Sequence, residues 1–496
     1  MDRKLDRNND SVFKVSLIII FLIIVYGIFF SESFEHMTTV LNNIISVNFG
    51  WVYTISMTVF LAFSIWIGYF SRFKDIKLGK EDEKPEYTFF SWFAMLFSAG
   101  MGVGLIFWGV AEPANYYLNP LGAIPLTTEA AVFTFNKSFL HWGMHPWASY
   151  AIIGMTLAYT QHKKGEKSLI SSLLAPLFGN GIQNSILGKS IDILTIIATI
   201  DGMVTSLGLG VYQINSGLNF LFGIPENSFI QLLLIGITTL IVILSVSTPL
   251  ERGIKVVSDI NIYLAAILIL FVFIMGPTVE VIKTYLEGIG IYFQNLIPNS
   301  FSSGAFGGTK WYESWTLFYW AWFIAWAPFS GMFIARISKG RTIKEFVTGV
   351  LLAPALFSFF WFSLFGRITI NASPELIKRA VNSTPTAYFI IMSEFSFGRY
   401  ISIFTLILLS TFFITSANSA TFVLGMLTSD GALNPNKNKK IIWALLQSGM
   451  AIALMIGTTN GLQMLQIASI ALALPFALIM ILCIVSFIKI LRDNES

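Results

Sequence analysis

Apolar stretches of about 20 residues recur along this chain, and they constrain its fold more than any other feature. A helix of that length and composition can cross the hydrocarbon core of a bilayer. Twelve such stretches occur in the 496 residues, of which only 12% are charged. They lie near residues 13–31, 50–70, 88–110, 136–160, 188–214, 227–247, 255–277, 314–335, 345–366, 398–418, 440–457 and 463–488. The sequence therefore predicts an all-α integral membrane protein with about twelve transmembrane helices.

The basic residues predict the orientation of these helices. If the amino terminus is cytoplasmic, 24 of the 31 Lys and Arg residues fall on the cytoplasmic side. The positive-inside rule then places both termini in the cytoplasm. The first stretch follows a charged start and has no small-residue cleavage site after it, so we expect a retained helix and not a removed signal peptide. The expected location is the plasma (inner) membrane, crossed many times.

Several other functions fit the sequence poorly. The net charge is only +4, and the basic residues are scattered in short loops, which argues against a nucleic-acid partner. His141 and His145 have the spacing of a metal pair, but Pro146 adjoins them and no further ligand cluster follows, so neither an enzyme nor a metal cofactor is expected. The glycine run at 100–104 lies inside a span without a following Lys, which argues against an ATP-driven pump. A passive channel remains possible on composition.

Glycine and proline fall in the middle of two spans. The third span has three glycines between Gly100 and Gly104, and the eighth carries Pro328 and Gly331 within residues 326–331. Close helix packing is one explanation for such residues. The other is an unwound segment, which is permitted at this depth where it lines a protein-enclosed cavity. Two interrupted spans at matching places of two five-span halves predict a secondary transporter built from inverted repeats.

The chain divides accordingly into five segments. The stretch 281–298 repeats apolar residues at near-helical spacing, so we expect an amphipathic helix on the outer leaflet. The predicted segments are 1–87 (a tail and two additional spans), 88–280 (the first five-helix repeat), 281–313 (the external helix), 314–488 (the second repeat) and 489–496 (a short cytoplasmic tail).

Aromatic residues follow one face of the eighth span. At 100° per residue they fall within about 80° of each other. They are Phe318, Trp322, Trp326 and Phe329. The fourth span carries a second group: Trp142, Trp147 and Tyr150. Packing, or a belt at the membrane surface, is the ordinary explanation, although several of these rings lie nearer mid-span. Ring faces also suit a quaternary ammonium group, at about 0.5–2 kcal/mol for each ring.

Three motifs in order resemble the betaine/choline/carnitine transporter family. They are GMGVG at 100–104 with FWG at 107–109 and AEP at 111–113, HWGMHPW at 141–147, and YWAW at 319–322 with ARISKGRT at 335–342. The resemblance extends over about residues 10–488. It implies twelve helices, with spans three to seven and eight to twelve as inverted five-helix repeats of a LeuT-like fold, usually assembled as a homotrimer. It also implies alternating access for trimethylammonium solutes.

The resemblance assigns the aromatic residues to a substrate site. It implies that Trp142, Trp147 and Tyr150 are three walls of an ammonium-binding box, and that Met101 contributes to substrate binding. The residues lining or closing the path are then Phe318, Trp322, Phe323 and Trp326. The family commonly has adjacent tryptophans where this sequence has Trp322 and Phe323. Phenylalanine is the weaker cation–π partner, which leaves affinity and substrate identity open.

The resemblance also implies a sodium site. Hydroxyl groups in membrane helices usually bond back to the preceding turn, which is the structural alternative here. The implied ligands are the hydroxyls of Thr415 and Ser416 with the carbonyls of Ser98, Met101 and Phe412.

A second ion site is implied near Thr199 and Phe329, where sodium-coupled relatives have another threonine one turn on and this chain has Met203. Asp201 stands two residues before Met203. A carboxylate near mid-membrane costs about 2.5–3.5 kcal/mol, so it seldom lies there without a partner or a function. It would complete a rebuilt cation site, carry a proton or face the substrate. The structural alternative is a carboxyl held by a neighbouring hydroxyl such as Thr205.

The sequence thus predicts a secondary active transporter for a trimethylammonium solute. Glycine betaine is the first candidate, with choline and carnitine open, and sodium is the expected coupling ion with no other cofactor. Sodium-independent substrate exchange and proton-coupled symport remain the alternatives.

Overall fold

The computed structural model describes residues 10–495 except residues 101, 247–249 and 459. Twenty α-helices make up most of this part of the chain, and its one β-type contact is an isolated bridge between Lys77 and Thr342. The first ten helices are α1 Asp10–Phe29, α2 Ser31–Ile65, α3 Phe89–Gly100, α4 Val103–Leu118, α5 Thr128–Trp142, α6 Met144–Ala158, α7 Ile170–Leu173, α8 Ala175–Phe178, α9 Ile186–Phe222 and α10 Ser228–Ser245. The others are α11 Leu250–Met275, α12 Thr278–Ser300, α13 Thr309–Tyr312, α14 Phe318–Ile337, α15 Ile343–Asn371, α16 Pro374–Asn382, α17 Ala387–Met392, α18 Gly398–Leu427, α19 Lys437–Met455 and α20 Gly461–Asn494.

Every predicted span coincides with a helix or with a pair of consecutive helices. Eight helical stretches of the described chain are long and apolar enough to cross a membrane, and a bent pair formed by residues 260–275 and 278–300 would make nine. The predicted spans at 88–110 and 136–160 are each divided between two shorter helices, α3 with α4 and α5 with α6. The protein therefore crosses the membrane many times, while a count of twelve spans stays a prediction.

The break predicted in the third span is present. Helix α3 ends at Gly100 and α4 begins at Val103, with Gly102 between them in an extended conformation (φ −122°, ψ −165°). Met101 lies outside the described residues. The three glycines therefore mark an interruption here and not only a packing surface.

The break predicted in the eighth span is wrong. Helix α14 continues through Pro328, and Gly331 serves close packing instead. A Cβ atom on Gly331 would lie 2.6 Å from the Ile153 side chain and 3.1 Å from the backbone nitrogen of Gly154, both on α6. Proline removes one helical hydrogen bond, and a helix packed on all sides tolerates that loss. The sequence analysis did not predict the break at Gly143, which separates α5 from α6.

Helix α12 confirms the helix expected at 281–298. It turns by 110° from the end of α11. One face is buried, with Tyr292 against Phe359 (ring centroids 4.8 Å apart) and Gly288 against Phe139. Its other face exposes apolar residues such as Leu286.

Burial distinguishes central from peripheral helices. In the most apolar 18-residue window, 89% of the residues are buried for the stretch 309–337 and 83% for α9, but only 11% for α10 and 28% for the stretch 11–29. Helices α9 and α14 therefore form the centre, and α1 and α10 have most of their surface available to lipid.

Candidate substrate-binding site

Four aromatic rings from α5, α6 and α14 form a continuous cluster. Phe323 contacts Trp142 (centroids 5.5 Å apart, planes at 87°) and Tyr150 (6.2 Å, 72°). Tyr150 in turn contacts Trp147 (5.4 Å, 86°). None of the four side chains is more than 8% exposed. The structure thus brings the three predicted wall residues together with Phe323, and we call these four residues the aromatic cluster.

The predicted stripe on α14 continues from this cluster. Phe318 stacks on Trp322 (5.5 Å, 11°), and Trp322 meets Trp142 edge to face (6.2 Å, 87°). Further along, Trp326 contacts both Trp322 (6.5 Å) and Phe329 (5.4 Å). The rings of the fourth and eighth predicted spans therefore share one buried region.

One backbone carbonyl on α9 fixes two of these indoles. The Nε1 of Trp326 donates to the carbonyl of Gly202 at 2.7 Å and to the Oγ of Ser206 at 3.1 Å. The Nε1 of Trp322 donates to the same carbonyl at 3.3 Å. A Cβ atom on Gly202 would lie only 2.8 Å from the ring of Trp326, so this close approach requires glycine. The bonds satisfy the indole N–H groups and define the ring orientations.

Glu112 organises the other side of the cluster, and the sequence analysis did not assign it. Its Oε2 accepts hydrogen bonds from the Nε1 of Trp142 (2.8 Å) and the hydroxyl of Tyr319 (2.6 Å). Its Oε1 lies 3.2 Å from the Nδ1 of His141. The carboxyl is fully buried. The predicted third span ends at residue 110, so the membrane cost that singled out Asp201 was not applied to Glu112, two residues beyond it.

The two histidines with metal-like spacing are hydrogen-bonded in different directions. His141 places Nδ1 near Glu112 and Nε2 at 3.0 Å from the Oγ1 of Thr316. His145 places Nε2 at 2.9 Å from the Oγ of Ser300. Each ring thus binds different neighbours, and the two do not form one ligand set.

The break between α3 and α4 lies between the aromatic cluster and α18. A Cβ atom on Gly104 would lie 2.5 Å from the ring of Trp322 and 3.4 Å from that of Trp142. A Cβ atom on Gly102 would lie 3.8 Å from the Oγ of Ser416. Two residues of main chain therefore link the predicted substrate site to a predicted sodium ligand.

The structure describes some, but not all, of the other predicted sodium ligands. The Oγ1 of Thr415 donates to the carbonyl of Phe412 (3.0 Å) or of Thr411 (3.1 Å) and accepts from the Nδ2 of Asn261 (3.1 Å). Asn261, on α11, is buried and was not predicted. Ser98 belongs to α3, and Met101 lies outside the described residues. The sodium site stays a prediction.

The grouping of Thr199, Asp201 and Phe329 needs a correction. Thr199 donates to the carbonyl of Thr195 (2.7 Å). At 100° per residue it shares the α9 face of Gly202 and Ser206, which contacts α14. Asp201 points elsewhere, because residues two apart on a helix lie about 200° apart, and its neighbour one turn on, Thr205, bonds α20. Asp201 therefore does not belong to one ligand set with Thr199.

Comparison with known proteins identifies the family of this chain. A family model described as BCCT, betaine/carnitine/choline family transporter, matches residues 11–496. The chain belongs to this family. It is 44% identical over 493 residues to the glycine betaine transporter OpuD of Bacillus subtilis (strain 168), covering 98% of this chain and 95% of that protein. It is 40% identical to a probable glycine betaine transporter of Desulfitobacterium hafniense (strain Y51), covering 100% of both chains.

A third relative is named for different solutes. The ectoine/hydroxyectoine transporter of Virgibacillus pantothenticus is 40% identical, covering 98% of this chain and 97% of that protein. Membership of this family makes the protein a multi-pass membrane transporter and not an enzyme.

Proposed function

We propose that this protein takes up glycine betaine, or a closely related trimethylammonium solute, by alternating access coupled to sodium. The observation that carries the proposal is the position of the α3–α4 break between the aromatic cluster and Ser416. A solute and an ion bound on either side of this segment would both contact the same few backbone groups. Binding of one would then favour binding of the other through differential contacts with one conformation.

The aromatic cluster supplies the cationic half of the site. Ring faces attract a trimethylammonium group, which has no N–H donor, at about 0.5–2 kcal/mol for each ring. In the described conformation the four rings touch, with centroids 5.4–6.2 Å apart. A solute enters between them only after they separate, which is the motion that alternating access would provide.

The start of α4 supplies a site for the anionic half. Gly102 caps this helix and has no side chain to accept from the N–H groups of the first turn, of which that of Leu105 donates to the carbonyl of Gly102 (3.2 Å). A helix amino terminus favours a carboxylate through these donors and the helix dipole. Gly104 brings this turn against Trp322 and Trp142. The arrangement favours a zwitterion such as glycine betaine over choline, which carries no carboxylate.

The coupling ion is proposed on the oxygen set at α18. Sodium binds neutral oxygen ligands, and unwound backbone together with helix hydroxyls supplies them in transporters. Ser416 lies next to Gly102, and Thr415 and the carbonyl of Phe412 are bonded to each other beside it. Ser98 and Met101 complete the proposed set.

The architecture belongs to the same proposal. Residues 88–280 and 314–488 would form the two inverted five-helix repeats of a LeuT-like fold. Both termini would be cytoplasmic in the inner membrane, and three copies would form a homotrimer.

Uptake by the purified protein in liposomes tests the proposal. We expect labelled glycine betaine to accumulate under an inward sodium gradient, to be displaced less by choline than by unlabelled glycine betaine, and not to require internal substrate. Competition by carnitine and ectoine ranks the remaining solutes. Accumulation that is equal in potassium and depends on internal substrate would replace symport with exchange.

Variants of the cluster test the binding site separately. Trp142→Ala and Trp147→Ala should each raise the KM for glycine betaine about tenfold, which corresponds to about 1.4 kcal/mol. Trp51→Ala is the matched control, because this indole is 55% exposed near the end of a predicted span. Unchanged KM values in both cluster variants, with normal folding, would contradict the assignment.

A further inference from the structure

The side-chain amide of Asn261 is buried, and only one of its two polar atoms is bonded. Asn261 lies on α11 and is 1% exposed. Its Nδ2 donates to the Oγ1 of Thr415 on α18 at 3.1 Å. Its Oδ1 is buried and has no hydrogen-bond partner among the described residues. A buried acceptor that gains no bond on folding costs free energy. Either a donor or a cation satisfies such an oxygen, and its surroundings decide between the two.

The neighbouring helices offer the amide oxygen no donor of the usual kinds. Neither residues 260–275 of α11 nor α3 contains a charged residue. The one charged residue of α18 is Arg399, which lies 16 positions before Thr415 and therefore about 24 Å away along the helix. The hydroxyl of Thr415 donates to a carbonyl of its own helix, that of Phe412 (3.0 Å) or Thr411 (3.1 Å). The hydroxyl nearest to the amide thus has no proton for it.

The oxygens around Thr415 are uncharged and have lone pairs available. A hydroxyl oxygen has two lone pairs, and the Nδ2 of Asn261 uses only one of those on Thr415. When Thr415 donates to Thr411, the carbonyl of Phe412 is also free of this hydroxyl. The hydroxyl of Ser416 lies beside the break between α3 and α4. Hydroxyl, carbonyl and amide oxygens are the ligands that sodium prefers.

We propose that Asn261 is a further ligand of the coupling cation. Its amide oxygen joins the hydroxyls of Thr415 and Ser416 and the carbonyl of Phe412. The proposal rests on the proposed function, from which the ion is taken. The ligands implied by the family resemblance come only from α3, α18 and the residues between α3 and α4, so Asn261 adds a third helix, α11. An uncharged amide does not titrate, and the added ligand therefore favours a metal cation over a proton.

The position of Asn261 gives the ion a structural consequence. Helix α11 belongs to the first proposed repeat and α18 to the second. The hydrogen bond from Asn261 to Thr415 already links the two helices. They also touch through rings alone, where Phe271 meets Phe397 edge to face (6.4 Å, 78°). A cation held from both helices would strengthen the polar link and leave the ring contact unchanged.

The first experiment measures sodium binding without transport. Thermal unfolding of the purified protein is followed against sodium concentration in detergent, without solute, with potassium keeping the ionic strength constant. We expect sodium to raise the Tm of the wild type and potassium not to do so. In Asn261→Leu, which has a similar volume and no oxygen, the midpoint sodium concentration should rise about tenfold or more. Asn261→Asp keeps an oxygen and loses the N–H donor, and it should keep the sodium response.

Two variants serve as matched controls. Phe271→Ala removes a contact between α11 and α18 but no oxygen. Asn215→Leu removes another buried amide, on α9, whose Nδ2 donates to the carbonyl of Pro225 (3.1 Å) and whose Oδ1 likewise has no partner among the described residues. Both should keep the sodium midpoint of the wild type, even where the Tm itself falls. If Asn261→Leu does not fold, Asn261→Ala takes its place.

Three results would overturn the ligand role. The first is an unchanged sodium midpoint in Asn261→Leu. The second is an equal shift in Phe271→Ala, which would make Asn261 a structural link between helices. The third is loss of the sodium response in Asn261→Asp as well as in Asn261→Leu, because the N–H group that orients Thr415 would then matter and not the oxygen.

Uptake of labelled glycine betaine separates this proposal from the proposed function. In Asn261→Leu the sodium concentration for half-maximal uptake should rise about tenfold, while the KM for glycine betaine at saturating sodium stays within about threefold of the wild type. If Asn261→Leu shifts the sodium midpoint but the wild type transports no glycine betaine, the proposed function fails and the ligand stands. Sodium-driven uptake with an unshifted midpoint in Asn261→Leu means the reverse. Equal stabilisation of the wild type by sodium and potassium would refute both.

Discussion

Replacing Glu112 tests whether this carboxyl supports both the fold and the binding role of the aromatic cluster. Glutamine keeps one carbonyl oxygen for Trp142 and Tyr319 and turns its amide NH₂ toward the Nδ1 of His141. That nitrogen can accept if the other ring nitrogen carries the proton and donates to Thr316. Glutamine therefore keeps the acceptor of Trp142 and Tyr319 and removes the negative charge. Alanine removes all the acceptors.

The expected magnitudes follow from these contacts. Glu112→Ala leaves buried donors on neighbouring side chains without their acceptor, each costing about 1–3 kcal/mol, so we expect a loss of roughly 3–5 kcal/mol in stability. Release of the Trp142 indole also removes one ring from the ammonium group, which at about 0.5–2 kcal/mol raises the KM roughly two- to thirtyfold. Glu112→Gln should lose about 1 kcal/mol in stability, because hydrogen bonds to a charged group are stronger than neutral ones.

The assay combines initial uptake rates in liposomes with thermal unfolding in detergent. We expect the order wild type, Glu112→Gln, Glu112→Ala for both stability and apparent affinity. Glu280→Gln is the control, since this carboxylate is partly exposed and pairs with Arg367 on the protein surface. Wild-type stability and KM in Glu112→Ala would refute the reasoning, because the carboxyl would then neither hold Trp142 nor support the fold.

Two further predictions concern packing and pH. Gly208→Ala should destabilise the protein by about 1–3 kcal/mol, because its Cβ atom would lie 2.2 Å from the Leu465 side chain. Gly290→Ala, at an open and exposed position in α12, should be neutral or stabilising by up to about 1 kcal/mol. Thermal unfolding of the two variants measures both effects. The hydrogen bond from Lys339 lowers the pKa of Glu83 below its usual value. At a pH above the pKa that Glu83 has in the unfolded chain, this pair should therefore stabilise the loop at 71–88. The stabilisation should be lost as the pH falls through the lower pKa that Glu83 has in the folded protein. Protection factors from hydrogen exchange, which remove the pH dependence of the intrinsic rate, should fall in this loop as the pH is lowered in the wild type, and the fall should be smaller in Glu83→Gln. An equal fall in the variant would contradict the assignment.

Sequence patterns located the helices and one of the two interruptions that they predicted. The length of an apolar stretch can be read from the sequence without knowing what the stretch packs against. Every predicted span is therefore helical in the structure. Three glycines between Gly100 and Gly104 weaken a helix locally, and that break is present. Pro328 and Gly331 gave a similar local signal, but there Gly331 packs closely against Ile153 and the helix stays continuous. Ile153 lies 178 positions earlier in the chain, so a local sequence pattern could not reveal this contact.

The candidate site shows the same division. Aromatic spacing on the fourth and eighth predicted spans identified the rings that meet in the structure. Glu112 and Asn261 were missed, because each acts on a partner from another helix and neither lies in an aromatic or hydroxyl pattern. The grouping of Asp201 with Thr199 was avoidable, because residues two positions apart on a helix point about 200° apart.

The shared carbonyl at Gly202 makes some positions of the ring stripe far easier to alter than others. Exchanging Trp322 or Trp326 gives up a hydrogen bond to α9 together with the ring, so selectivity and folding would change at once. Phe323 has no polar atom and contacts Trp142 and Tyr150 only through its ring. In the proposed substrate site, we therefore expect substitution of this residue to change the choice of solute while the scaffold that holds the neighbouring indoles stays intact.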